Sequence, residues 1–512
     1  MCTDTWSTSF SPSPRLIPVR LAGLPHLGLG YLGPRPPPAA FAWYEVIGYR
    51  LSPLHPHLLS MLRSLSRRTF VKALATLPLI GAAGPFNLLV RAGEPPLGLV
   101  PGQDQINKDR QAALNILKPS PQQLEHGLRL HAESLVFESY GFAPRAALDG
   151  AAFHAAAVGG ASDAELVDLR EEMAMTRWAT NTAERTEFLD AMRVAGVTCI
   201  FQNTGEEGSD PLRLMKRLAR FTYATDVARE VCFKVATPDD VMLAKREGRH
   251  CLCFTTNGVP LRQQWESVRD ELRLIRIFRQ LGVRMMHLTY NRRNPLGDGA
   301  GEPNDAGLSD FGHAAIAEMN RLGMIVDVSH SGWRTSLEAA KASKRPMVAS
   351  HTTCGGIYRH FRGKPDEVIR AICDTGGLVG ICCISRFLGR DGDIRAFLDH
   401  IDYAVKTFGP EHVAIGPDIS YVSRHDAAER AKVRPRADGR SPLSAAGPRW
   451  EHLWPADDFR PKPQAVQSIA WTNWPLFTVG LVQRGHSDAT IRKILGENVL
   501  RVMRANWVAE AG

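Results

Sequence analysis

The sequence predicts a (β/α)8 barrel of the TIM type. Three observations carry that expectation: eight short apolar runs, helical stretches between the later ones, and runs that are continuously apolar rather than alternating. Continuous apolar runs are what strands buried on both faces look like. A repeated strand–helix order over about 300 residues fits a closed parallel barrel. The rival is an open doubly wound sheet. It has no G-x-G-x-x-G after its first strand, so a dinucleotide site has no support.

In chain order the expected strands are Leu135-Val136-Phe137, Gly196 to Phe201, Cys251 to Phe254, Arg284 to Thr289, Met324 to Val328, Pro346 to Ser350, Leu378 to Cys383 and His412 to Gly416. The separating helices are expected at Glu271 to Gln280, Phe311 to Leu322, Arg334 to Ala342, Pro365 to Asp374 and Ile394 to Phe408. Ser420 to Pro463 is polar, Arg-rich and without periodicity. A loop that long after the last strand is expected to hang over the barrel mouth. Ala470 to Arg484 and Asp488 to Trp507 close the barrel domain, which is placed at 105–512, as two helices.

Two further segments precede the barrel. Residues 61–92 contain Ser66-Arg67-Arg68-Thr69-Phe70-Val71-Lys72 and then a short, mildly apolar run from Ala73 to Gly84. That order resembles a twin-arginine export signal and implies the twin-arginine export machinery as a partner. The expected destination is the periplasm, with Val90-Arg91-Ala92 as a cleavage site or the uncleaved signal as an anchor. Residues 1–60 are rich in Pro, Leu and Gly and cannot bury enough apolar surface to offset their ordering entropy. They are expected to be disordered or to precede the true start at Met61.

Composition excludes one large class of partners. The net charge is +9, but residues 1–92 hold nine Lys/Arg against only Asp4 and Glu45, so the barrel is nearly neutral. A near-neutral body does not suit a phosphate backbone, and nucleic acid is excluded. The nine cysteines include Cys251 and Cys253 and the pair Cys382-Cys383 inside apolar runs, which marks core thiols rather than a zinc knuckle.

Candidate chemistry lies at the carboxyl ends of the strands. Asp327-Val328-Ser329-His330 and Val348-Ala349-Ser350-His351 each end in histidine, and Ile415-Gly416-Pro417-Asp418 ends in aspartate. Imidazoles there can share an ion, and a carboxylate can relay a proton to a leaving amine.

Several strings carry a resemblance: Leu281-Gly282-Val283-Arg284, Leu288-Thr289-Tyr290-Asn291, Leu308-Ser309-Asp310-Phe311-Gly312, Met319 to Met324 leading to His330, and Ser350-His351. With Arg362, Pro365-Asp366-Glu367, Gly416-Pro417-Asp418 and Gly496 to Arg501, the chain resembles the membrane (renal) dipeptidase family of zinc peptidases over roughly residues 130–510. The resemblance implies a barrel of the metal-dependent hydrolase type, two zinc ions bridged by a glutamate, and cleavage of dipeptides. It implies that His330 and His351 are metal ligands, that Asp418 is catalytic, and that Arg362 holds the substrate carboxylate.

This sequence departs from that pattern. The first strand of the family ends in Asp-x-His-x-Asp, matched here by Glu138-Ser139-Tyr140-Gly141-Phe142. The bridging glutamate should fall within Phe254 to Val259, where no carboxylate exists, and a histidine that contacts the reacting carbonyl is replaced by Tyr290. The expectation is therefore an altered site with one zinc or none. A third ligand would come from Asp418, Glu138 or a βα loop. Tyr140 or Tyr290 would donate to an oxyanion, and Tyr140 would also help bind substrate. The substrate would be a small peptide or related amide, and the oligomer a homodimer. The alternative is a catalytically inactive binding or maturation factor of the cell envelope, favoured by the aromatic character of Tyr140, Phe142 and Tyr290.

Overall fold

Nine parallel strands build the core of the computed structural model. It describes residue 100 and residues 102–205, 210–436, 438–444 and 454–507. The expected signal at 61–92 and the extension at 1–60 lie outside the described residues. The strands are β1 (Phe137–Gly141), β2 (Cys199–Asn203), β3 (Cys232–Lys234), β4 (His250–Thr256), β5 (Val283–His287), β6 (Ile325–Asp327), β7 (Val348–Thr352), β8 (Leu378–Ile381) and β9 (Val413–Ile415). Eight of them run in the order β1-β2-β4-β5-β6-β7-β8-β9, and β3 adds to β4 off this path. The eight on the path are the eight expected strands. The unexpected β3 is short and follows a helix (Pro211–Val227) with only a brief turn between.

The loops after β1 and β9 join the two ends of the path. Arg145 N–H donates to the Tyr421 carbonyl at 2.9 Å, and Ser423 N–H returns to the Arg145 carbonyl at 3.0 Å. The barrel is thus nearly closed. Its inward layer near the amino ends comprises Phe137, Phe201, Cys253, Met285, Ile325, Val348, Leu378 and Ala414, all buried. Val499 and Val502 of the carboxyl-terminal helix (Asn498–Asn506) plug that end. Toward the carboxyl ends the interior becomes polar: Ser139 Oγ donates across it to the Ser350 carbonyl at 2.7 Å. A Cβ at Gly380 would collide with that carbonyl and that hydroxyl, so the strands approach closely there because the side chain is absent.

Alternation along a strand sends successive side chains in and out. Register shifts interrupt it in β1 between Glu138 and Gly141 and in β7 between Ala349 and Thr352. These irregularities let both Ser139 and Tyr140, and both Ser350 and His351, face inward. Glu138 obeys the alternation and points outward, where its Oε1 accepts from the indole N–H groups of Trp471 (2.7 Å) and Trp474 (2.9 Å).

The long segment after β9 has some regular structure of its own, a helix at Asp426–Ala431 and a single turn at Pro442–Ser444. Trp454 and Pro455 from its far end border a cavity near the carboxyl ends of the strands. The eight described cysteines are all buried free thiols. Among the described residues no helix is long and apolar enough to cross a membrane.

Candidate metal centre

Three imidazoles converge inside the barrel mouth. His287 ends β5, His351 lies in β7, and His330 sits in the turn just after β6. Each offers a ligand nitrogen, and these atoms lie within 4.8 Å of one another. His287 and His351 are wholly buried and His330 nearly so.

Each ring is braced through Nδ1. His287 Nδ1 meets the Thr256 carbonyl at 2.7 Å, His330 Nδ1 meets Asn291 Oδ1 at 2.9 Å, and His351 Nδ1 meets Ser350 Oγ at 3.0 Å. A carbonyl can only accept, so the His287 proton sits on Nδ1 and Nε2 carries a lone pair in the neutral ring. The Nε2 atoms of His330 and His351 are 2.8 Å apart. Burial, reinforced by the nearby Arg362 cation, holds both rings well below the usual histidine pKa, so they are neutral and able to ligate.

Asp327 lies beside this trio. Its Oδ1 accepts from Ser329 N–H (2.9 Å), Ser329 Oγ (2.8 Å) and Ser350 N–H (3.1 Å). Its Oδ2 is 3.0 Å from His287 Nε2, yet neither atom has an aligned hydrogen bond. Burial opposes ionisation of Asp327, but His287 and the surrounding donors outweigh it and hold the carboxyl well below its ordinary range. A carboxylate oxygen and an imidazole nitrogen 3.0 Å apart, both buried and neither in an aligned hydrogen bond, form an arrangement that a cation would relieve. Three braced imidazoles with a carboxylate at hand suit one zinc with an open position. Among the described residues no second cluster of metal-ligating side chains accompanies this trio.

The structure places each expected site residue. His330 and His351 meet, as their strand-end positions implied. Tyr140 is buried. Its ring stacks on His351 with centroids 3.8 Å apart, and its hydroxyl donates to Asn257 Oδ1 at 2.8 Å. Burial pushes its phenol far above the usual value, so it is not an anionic ligand. Tyr290 stacks on His330 at 4.1 Å. Two tyrosines thus sandwich two histidines.

Arg362 is only 2% exposed. One guanidinium nitrogen donates to the Ser329 carbonyl; the other lies 3.4 Å from the His351 carbonyl and 3.3 Å from His330 Nε2. Both terminal nitrogens are therefore turned to the walls of the site. Lys364, also buried, donates to the Ser331 carbonyl and to Ser336 Oγ, and burial lowers its ammonium to about 7. Asp418 stands three residues beyond β9 with φ at +58°, a backbone setting that aspartate tolerates better than most residues. The residue as a whole is half-buried. Desolvation pushes its carboxyl up to about 7, against the pull of Arg362, His287 and Arg145. It faces the histidines without joining the trio. Glu138, an expected candidate for the third ligand, lies outside the barrel on the two indoles, because it is one residue out of phase with the inward row.

His287 was missed. The signal was present: Met285-Met286-His287 is an apolar run ending in histidine, the same mark that singled out His330 and His351. The resemblance places a functional histidine three residues further on, at Tyr290, and so draws the expectation past His287.

Residues 145–427 match the model of the membrane dipeptidase family, Peptidase family M19. That match spans more than half of the chain. The chain belongs to the membrane dipeptidase family. A dipeptidase of Clonostachys rogersoniana, verJ, is 30% identical over 270 residues, which is 52% of this chain and 58% of that protein. An uncharacterized dipeptidase of Schizosaccharomyces pombe is 34% identical over 190 residues, 35% of this chain and 44% of its own length. The matched stretches thus span about half of these curated relatives. Among solved structures, an amidohydrolase from Pseudomonas aeruginosa aligns with a TM-score of 0.53 at 24% identity, covering 74% of this chain and 99% of its own. That likeness concerns the fold, and the barrel of this membrane dipeptidase relative agrees with it.

Proposed function

We propose that this member of the membrane dipeptidase family hydrolyses short peptides or related amides at a single zinc held by His287, His330 and His351. The observation that carries the proposal is the convergence of three buried imidazoles, each braced at Nδ1 by an oxygen. A bound zinc would supply Lewis acidity for amide cleavage. The chain's own residues divide the remaining work. Asn291, Ser350 and the Thr256 carbonyl fix the rings. Arg362 and Lys364 hold the turn that carries His330. Tyr140 and Tyr290 wall the site and limit water. Asp418, with a carboxyl near neutrality, is placed to pass a proton to the leaving amine nitrogen.

In an Asp418→Asn variant we expect kcat on a dipeptide to fall by about 10²–10⁴-fold, the usual worth of a general acid–base, with zinc content unchanged. Equal turnover in the two proteins would remove Asp418 from the mechanism.

A second reading is a non-catalytic peptide-binding protein. The turning of Arg362 toward Ser329, His330 and His351, and the Tyr140–Asn257 hydrogen bond across the space of the lost ligands, favour it. Zinc-free protein that binds dipeptides but never cleaves them, with or without added zinc, would support this reading over the first.

Export by the twin-arginine route belongs to the proposal and rests on the Ser66 to Lys72 string alone. Replacing both Arg67 and Arg68 by lysine is expected to trap the protein in the cytoplasm of a bacterial host. Undiminished recovery from the periplasm would refute the route.

A further inference from the structure

A cavity of about 700 Å³ opens beside the metal centre, and nothing in the mechanism above uses it. Its walls include Trp333, Phe361 and Trp454, with Arg359 at the rim. Only one aromatic layer separates it from the histidines: the Tyr290 ring lies 4.1 Å from that of His330 and 6.4 Å from that of Trp454. Ala300 N–H, on the cavity wall, donates to the His330 carbonyl at 2.7 Å.

Two features mark the cavity as a binding site for part of a substrate. Trp454 Nε1, on a lining residue, is buried with no hydrogen-bond partner, and His360 Nε2, on another, is buried with only the Asp457 carboxylate near it, at 3.7 Å and beyond hydrogen-bond reach. Orphaned polar atoms beside an aromatic cavity of this size are what a bound organic molecule satisfies. The second feature is charge. Arg359 is exposed, its guanidinium lies 6.0 Å from the Trp333 ring centroid, and among the described residues it forms no ion pair. The acids of the cavity are already engaged. Glu302 accepts from Arg293 N–H and lies 3.8 Å from Arg292, while Asp305 caps the helix that begins at Trp333. Arg362 is enclosed. Arg359, three residues before it, is the guanidinium left to meet a carboxylate.

We propose that this cavity binds the carboxyl-terminal residue of a short peptide, with an aromatic side chain among Trp333, Phe361 and Trp454 and the carboxylate on Arg359. The assignment rests on the peptide-hydrolase reading for its choice of ligand, and it is tested by binding alone. Aromatic walls select planar rings, and a guanidinium fork selects a free carboxylate over an amide.

The probes are non-cleavable, methyleneamine-linked analogues of Ala-Phe, its carboxyl-terminal amide, and Ala-Ala, titrated calorimetrically into the full chain. Wild type is expected to bind the Ala-Phe analogue about tenfold more tightly than either of the others, the effect of one good polar or stacking contact. Arg359→Met should erase the preference for the free acid and keep that for the ring. Trp454→Ala should do the reverse. These opposite losses are not what misfolding produces. The same preferences surviving in both variants, or no binding to wild type, would overturn the assignment. Wild type that binds with these preferences but cleaves no peptide would sink the hydrolytic reading and sustain the cavity.

Discussion

His287→Ala is expected to weaken zinc binding by at least about 100-fold, more than the loss of an outer bracing group costs. The reason is arithmetic of ligands. His330 and His351 alone make a two-coordinate protein site, and catalytic zinc usually takes three protein ligands. The resemblance puts a histidine and a carboxylate of the first zinc at Tyr140 and Phe142 and the bridging glutamate within Phe254 to Val259, and none of these residues is a histidine or a carboxylate. The only other imidazole of the trio is the one that ends β5. Removing it also leaves buried Asp327 without its cross-strand neighbour, which destabilises the fold whether or not metal is present. His287→Gln, whose amide N–H can face Asp327, separates the two effects. We expect zinc to raise the melting temperature of wild type, because it binds only the folded state, and to leave both variants nearly unmoved. Competition titration against a chromophoric chelator gives the affinities directly. Equal zinc affinity in wild type and in the Gln variant would place the metal elsewhere or nowhere.

The barrel could be read from the chain because its strands are buried on both faces. Runs such as Leu378 to Ile381 and Val413 to Ile415 carry no alternation that might be confused with an exposed sheet. The short β3 escaped because three residues in a strand added outside the main path leave almost no periodic trace. The site was harder to read. His330 and His351 follow a strand-end rule, and both lie where it puts them. Tyr140 and Glu138 show the limit of that rule. They are two residues apart, so strict alternation would put them on the same side, and the register shift in β1 sends one inward and the other outward. A bulge of this kind depends on the neighbouring strand and is not written in five residues of sequence. Arg362 illustrates the same point for charge. Its type suits a substrate carboxylate, but burial turns both terminal nitrogens toward the carbonyls of Ser329 and His351.

Glu138 carries the second large effect, and here the expected result concerns stability. The carboxyl is fully buried, accepts two indole N–H bonds at Oε1, and has no partner at Oε2, which packs against Gly141. Burial raises its pKa well above 4.5, against the smaller opposing pull of the two indoles, so the folded protein keeps the proton that the unfolded chain gives up. The sign follows. A folded-state value raised above the unfolded one contributes stability in full below the unfolded value, and that contribution is lost as pH rises toward the folded one. In Glu138→Gln the amide oxygen keeps both indole bonds and nothing titrates. The stability of the variant relative to wild type should therefore climb with pH above 4.5, by about 1.4 kcal/mol per pH unit for as long as the folded carboxyl stays protonated. Denaturant unfolding of both proteins in excess chelator, at pH 5 and at pH 7, measures the difference. Glu138→Leu supplies the contrast: it strands two buried indole N–H groups at about 1–3 kcal/mol each and should be less stable than wild type at pH 5. A Gln–wild-type difference that stays flat or falls between the two pH values would mean that Glu138 is ionised in the folded barrel.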